Sequence, residues 1–220
     1  MAKLTKNRQD RLEKIYEAAL AIFSKFGFKK TTMEDIAKEL GMTKGNIYLY
    51  ANNKRDLYEK SILHALYEFQ NYVVKAFKRE KDVVKQIISM SQAGFEYISK
   101  NDALRSIIIN DPDLLRPYDE VFSPENIKEH HEFHTFARDM LSDGLKQGIK
   151  ENRFRKFDTD YIADLLSQIY MMFIRRNFVI SKGKSIRKTT EEIVNLVLYG
   201  IVNDRGGDSP KITYKGYVSK

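Results

Sequence analysis

The chain has 220 residues, 42% of them hydrophobic and 31% charged, with a formal net charge of +8 and no cysteine. Disulfides, thiolate nucleophiles and cysteine-based zinc fingers are therefore excluded, whereas a basic balance by itself fits solubility as readily as an acidic partner such as nucleic acid. Only 4 prolines and 11 glycines punctuate the chain, which favours long helices over many short strands and predicts an all-α fold.

The first predicted helix covers residues 8–26, with Ile15, Ala18, Ala19, Ile22, Phe23 and Phe26 at the spacing of a buried stripe, and Gly27 ends it. Thr32 is the expected N-cap of the second helix, with Asp35 at the N3 position of a capping box. Ile36 and Leu40 then share one face, and Ala37 is small enough for another helix to cross it. Gly41 supplies the left-handed conformation that stops the helix, Thr43 caps the third, and Ile47 anchors that helix to Ile36 and Leu40. Two short helices joined by a tight turn with these offsets form a helix-turn-helix, which places a recognition helix in the major groove of DNA. Residues 1–60 carry 13 Lys/Arg against 8 Asp/Glu, so positive charge is concentrated on the segment that holds the motif.

Asn53 caps a long fourth helix over residues 54–79, with Asp56 at its N3 position, and the charged run 78–82 predicts a turn. Helices five and six follow over residues 83–99 and 102–109, then an irregular stretch around Pro112 and Pro117. Ser123-Pro124 starts helix seven, which reaches residue 150 and gives way to a polar connection over 150–156. Asp158 opens helix eight, Gly183 closes it, and helix nine is expected over 186–202 before a loop-like tail from residue 204. Helix eight carries one stripe at Ile162, Leu165, Leu166, Ile169, Met172 and Phe173 and further apolar residues on other faces. A helix apolar nearly all round needs cover on both sides, either from its own core or from a second copy of the chain. Pairing of helices eight and nine with their copies predicts a homodimer that presents two recognition helices to successive major grooves.

The N-terminal quarter resembles the TetR/AcrR family of transcriptional regulators. The resemblance is carried by residues 18–23, Gly27-Phe28, residues 31–37, residues 40–45, Ile47-Tyr48, Tyr50, Lys54 and Leu57. It covers about residues 8–58; the rest of the chain matches only in length and helical layout. Ala51 stands where the family usually has a phenylalanine that wedges the recognition helix against helix four, leaving Tyr50 and Tyr58 to fill the space. The expected layout is a helix-turn-helix head over residues 1–52, a ligand-binding and dimerisation domain over 53–203, and a tail over 204–220, about nine helices in all.

Residue chemistry and the resemblance agree on the DNA contacts. Thr43, Lys44, Gly45 and Asn46 occupy the exposed first turn of the recognition helix, where Lys44 suits guanine acceptors, Asn46 suits adenine and Gly45 permits close backbone approach. Thr32, Tyr48, Tyr50 and Lys54 suit phosphate, and Lys54 draws notice as a cation at a helix N-terminus, where the dipole disfavours it. Phe69, Tyr72, Phe95, Phe122, Phe133, Phe136, Tyr170 and Phe173 supply aromatic surface for a lipophilic or aromatic effector, or plain core. Arg105, Arg116 and Arg175 are candidates for an anionic head group.

Other chemistry fails on spacing. Gly-Lys-Ser at 183–185 lacks the earlier glycine of a phosphate-binding loop, since Phe178 stands there, and His131-Glu132 lacks the second histidine of a zinc-protease helix, since Thr135 stands there. His130 and His134 lie four apart but have no evident third ligand, so neither a metal nor a cofactor is expected. The N-terminus lacks the apolar core of a secretory signal, and the longest apolar block, 169–174, is closed by two arginines. These features predict a cytoplasmic, non-enzymatic, ligand-responsive repressor of a DNA operator with no membrane partner. An activator, or a DNA-binding protein that answers to no ligand, would share the same fold.

Overall fold

The computed structural model describes residues 6–110 and 122–180, which form eight helices. In chain order they are α1 (Lys6–Phe26), α2 (Met33–Glu39), α3 (Lys44–Ile47), α4 (Lys54–Arg79), α5 (Val83–Lys100), α6 (Asp102–Asn110), α7 (Pro124–Lys150) and α8 (Thr159–Ile180). The expected ninth helix, the tail and Arg116 lie outside the described residues, as do the side chains of Phe133, Phe173, Arg175, His130 and His134.

Local chemistry sets the helix boundaries. Thr32 and Asp35 form the capping box in full: the Thr32 hydroxyl accepts from the Asp35 amide at 3.2 Å, and the Asp35 carboxylate accepts from the Thr32 amide at 2.8 Å. The Thr32 hydroxyl also donates to that carboxylate at 2.7 Å, and this bond first, then the one from the Thr32 amide, holds Asp35 below the ordinary carboxylate range. Gly41 has φ +61, the left-handed conformation that ends α2, and Gly27 has φ +79 after α1. Thr43 caps α3 through the Asn46 amide at 3.3 Å, and Asn53 caps α4 through the Asp56 amide at 3.0 Å. Asp82 and Asp158 serve α5 and α8 in the same way.

One continuous core runs from the N-terminal helices into the C-terminal ones. Phe23 of α1, Ile36 of α2, Ile47 of α3, Leu57 and Ile62 of α4, Ile98 of α5 and Leu104 of α6 are all buried in it. Each such side chain contributes about 1.5–3 kcal/mol of transfer free energy against about 1 kcal/mol for a typical cap, and their sum holds the short helices α2 and α3 in place. α1 departs from its expected stripe: Leu20 is buried, whereas Phe26 is 51% exposed beneath the Lys25 ammonium. Phe26 is the last helical residue, and the chain turns away at Gly27 before the ring can reach the core.

A second core closes the far end of the bundle, where Val83, Val84, Leu141, Leu145 and Ala163 surround Phe154. The connection over 150–156 is therefore not simply polar. Asn152 takes φ 58, the Phe154 amide returns to the Gly148 carbonyl at 3.1 Å, and the Phe154 ring packs onto Gly148, where a Cβ would lie 2.2 Å from it. No described helix is long and apolar enough to cross a membrane.

Candidate nucleic-acid interface and its connection to the bundle

The interface begins at the turn between α2 and α3. Thr43, Lys44, Gly45 and Asn46 are all exposed, Ile47 is fully buried, and Tyr48 and Leu49 are exposed again at 47% and 71%. One side chain thus fixes a four-residue helix to the core while its neighbours face outward. A Cβ placed at Gly45 would meet nothing within 4 Å, so nothing in the chain itself requires glycine there. Leu49 has no sequence signature, since an apolar residue at the end of a helix reads as core; its exposure beside Lys44 and Tyr48 adds it to this surface.

Tyr50 is half-buried against the core and Ala51 is buried. Tyr58, in the same core, belongs to a ring cluster in which it meets Phe23 edge-on at 4.9 Å and Phe28 at 5.1 Å. Lys54 joins this cluster: its Nζ donates to the Phe28 carbonyl at 2.9 Å and lies 4.5 Å over the Phe28 ring. The dipole penalty at the start of α4, about 0.3–1 kcal/mol, is offset within the chain by that bond and the cation–π contact. The position of Lys54 thus needs no external anion, which removes the dipole ground for reading it as a phosphate contact. An ammonium carries three N–H groups, however, so the Phe28 bond leaves donors in hand. Thr32 is more fully committed, because its hydroxyl both donates to Asp35 at 2.7 Å and accepts from the Asp35 amide.

Behind this surface lies a buried polar cluster that sequence reasoning missed. Asp56 accepts from the Asn52 amide and from Lys60 Nζ, both at 2.8 Å, and from Asn126 Nδ2 at 3.2 Å. Glu59 accepts from Arg55 Nε at 2.7 Å, from the Ser123 amide at 3.0 Å, from the Ser123 hydroxyl at 2.6 Å and from Asn126 Nδ2 at 2.8 Å. Glu59 and Asn126 are 1% and 3% exposed. Burial is the largest influence on both carboxyls and would raise them. The hydrogen bonds outweigh it, led by Lys60 for Asp56 and by Asn126 and Ser123 for Glu59, and hold both below their ordinary values.

Of the aromatic effector candidates, Phe69, Phe95 and Tyr170 converge between α4, α5 and α8. Tyr170 meets Phe95 edge-on at 5.2 Å and donates to the Ser91 carbonyl at 3.0 Å, and its enclosed phenol is pushed up by burial. The Tyr170 hydroxyl fills the space above Gly94, where a Cβ would lie 2.0 Å from it and 3.3 Å from Phe69. Tyr97, absent from the expected set, is in contact with both Phe69 and Tyr72 at 5.8 and 5.4 Å. Tyr72 and Phe136 are exposed at 38% and 49%, and Phe122 lies in the main core. Arg105 is drawn to Asp102 and to the Ser99 carbonyl on its own stretch of chain. Among the described residues, no three His, Asp or Glu side chains gather as a metal site would require.

Residues 15–60 match the family model for bacterial regulatory proteins of the tetR family. The chain is 30% identical over 86 residues to the biofilm operon icaADBC HTH-type negative transcriptional regulator IcaR of Staphylococcus epidermidis, covering 39% of this chain and 44% of that protein. It is 37% identical over 84 residues to the HTH-type transcriptional regulator TtgR of Pseudomonas putida, covering 38% and 40%. The match thus spans less than half the length of these relatives. The fold extends further: the transcriptional regulator FadR from Bacillus subtilis, solved in complex with stearoyl-CoA, superimposes with a TM-score of 0.72 at 17% identity over 86% of this chain and 98% of that one.

Proposed function

The chain belongs to the TetR family of bacterial regulatory proteins through its N-terminal head, and from that premise we propose that it is a homodimeric transcriptional repressor. It binds a palindromic duplex operator and leaves it when a small lipophilic or aromatic effector binds among α4 to α8. The observation that carries this reading is the recognition segment itself. Thr43, Lys44, Gly45, Asn46, Tyr48 and Leu49 face outward around a single buried anchor, and Gly45 has no internal reason to be glycine. Lys44 and Asn46 then read base edges, while Tyr48, Tyr50 and Lys54 meet phosphate; Thr32 gives both its hydroxyl and its amide hydrogen to Asp35 and keeps none for that role.

Three further observations support the rest. The head, residues 1–52, passes into the remainder of the chain through α4, whose far half reaches Phe69 and, beside it, Phe95 and Tyr170. FadR, the structural neighbour named above, holds an acyl-CoA, which fits an effector with a lipophilic tail. On α8, Tyr161, Leu165 and Met172 are 65%, 38% and 54% exposed at helical spacing, an apolar face of the kind a second copy covers. Effector binding shifts DNA affinity only through its preference for the conformation with wrongly spaced recognition helices.

The test is in-vitro selection of duplexes from a random library, followed by titration of the selected duplex. Lys44→Ala is expected to cost about 1–3 kcal/mol at that duplex and to relax its sequence preference. Lys54→Ala is expected to weaken all duplexes about equally and to flatten the salt dependence. Identical behaviour of the two variants would refute the division of base and phosphate roles, and failure to enrich any sequence would refute the operator.

A further inference from the structure

Ser123 stands at the N-cap position of α7 with extended backbone (φ −64, ψ 154) and Pro124 behind it, yet its side chain makes no capping bond to its own helix. A serine in that place ordinarily satisfies one of the free amides of the first turn, a bond worth about as much as any local contact a helix makes. Here the hydroxyl donates instead to Glu59 of α4 at 2.6 Å, and the Ser123 amide donates to the same carboxylate oxygen at 3.0 Å. The negative charge that favours a helix N-terminus therefore comes to α7 from another helix. Asn126, one turn into α7, bridges the arrangement by reaching Glu59 at 2.8 Å and Asp56 at 3.2 Å. Asp56 in turn accepts from the amide of Asn52, in the loop that leaves the recognition helix.

We propose that Asp56, Glu59, Ser123 and Asn126 are positioning residues for DNA recognition, a buried joint through which the N-terminus of α7 sets the placement of the recognition helix. The bonds form an unbroken chain from Ser123 and Asn126 through the first two turns of α4 to Asn52, two residues beyond Tyr50. A displacement of α7 relative to α4 must break a charge-assisted bond at Glu59 or carry the root of α4 with it. The joint rests on the reading of α3 as the DNA-contacting element, and it adds to that reading the route by which the bundle controls the element.

The experiment uses the full chain, which has no native cysteine and so accepts a single engineered pair. Lys38→Cys on α2 and Lys128→Cys on α7, both exposed, carry a donor and an acceptor dye, with excess unlabelled chain so that any oligomer holds one labelled copy. Distances and affinity for the selected duplex are then measured for the unmodified joint, Ser123→Ala, Ser123→Thr, Glu59→Gln and Phe154→Leu. Ser123→Ala is expected to shift or broaden the α2–α7 distance and to weaken the duplex by about 5- to 30-fold. Ser123→Thr, which keeps the hydroxyl, restores both. Glu59→Gln, which keeps an acceptor without the charge, falls between, and it decides the question if Ser123→Ala does not fold. Phe154→Leu, in the far core, lowers the melting temperature and leaves distance and affinity unchanged. The joint is overturned if Ser123→Ala changes only the melting temperature, or if Phe154→Leu weakens the duplex as much. Should no duplex be selected, the DNA reading fails by itself, and the distance measurement alone still decides whether Ser123 and Glu59 position the head.

Discussion

The two halves of α4 are built to opposite rules. Its first twelve residues bury eight side chains, including the carboxylates of Asp56 and Glu59, whereas its last fourteen bury only Val73. The near half is held by apolar packing and by charged hydrogen bonds with defined directions. Among the described residues of the far half, rings such as Phe69 and Tyr72 touch their neighbours edge-on or tilted and keep some exposure. Directional bonds between buried groups permit one arrangement and are costly to break; ring contacts slide at little cost. One helix can therefore be fixed where it meets the head and adjustable where it meets the bundle.

The largest effect that would break this contrast is at Glu59. Glu59→Ala strips the acceptor from the Ser123 amide, the Ser123 hydroxyl and Asn126, and is expected to cost about 3–5 kcal/mol in denaturant unfolding. A loss under about 1 kcal/mol would mean that the near half is no more tightly held than the far half. On α5, against Phe69 of the far half, Gly94→Ala drives a methyl into the Tyr170 hydroxyl and should cost about 1–3 kcal/mol. Adding Tyr170→Phe, which deletes the clashing oxygen, should return most of that loss if the ring interface adjusts as argued. Lys54→Ala removes the bond to the Phe28 carbonyl and the contact with its ring, and about 1 kcal/mol of stability is expected to go with them.

The smallest effect is that of acid. Asp56 and Glu59 are held below their ordinary values of 3.8 and 4.5, so their contribution is complete above those values and is lost as pH falls through the lower values of the folded chain. Glu59→Gln has no such titration at that position. The stability advantage of the unmodified chain over Glu59→Gln should be constant near pH 6 to 7 and shrink toward pH 3 in thermal unfolding. An advantage that grew with acid would contradict the sign of the shift.

The parts of this molecule legible from sequence are those whose partners lie within one turn. Thr32 with Asp35, Thr43 with Asn46, and Asn53 with Asp56 are each three residues apart, so the spacing alone specified the bond. Gly41 was legible for a similar reason, since a left-handed residue between two apolar patterns leaves few alternatives to glycine. Ser123 shows where this stops. Its sequence context, Ser before Pro, described its position correctly but not its bond, because Glu59 lies 64 residues earlier in the chain. The bond from Lys54 to Phe28 was hidden in the same way: its acceptor is a backbone carbonyl, which carries no sequence signal. Phe154 was hidden inside a charged run, and only the tight return onto Gly148 brings its ring into the far core. Of the aromatic residues chosen by type, Phe69, Phe95 and Tyr170 meet, but Phe136 is half exposed, because residue type does not say which face of a helix turns inward.

The single buried anchor of the recognition segment has an evolutionary consequence. Ile47 carries the packing, while Thr43 to Asn46, Tyr48 and Leu49 are exposed. Exposed positions away from caps usually tolerate substitution within about half a kcal/mol. Lys44, Gly45, Asn46, Tyr48 and Leu49 can therefore be exchanged with little effect on folding, provided Thr43 keeps its cap and Ile47 its place. On the proposed reading of this segment, a descendant of this chain could acquire a new target sequence in a few substitutions while inheriting the whole scaffold, the proposed joint included, unchanged.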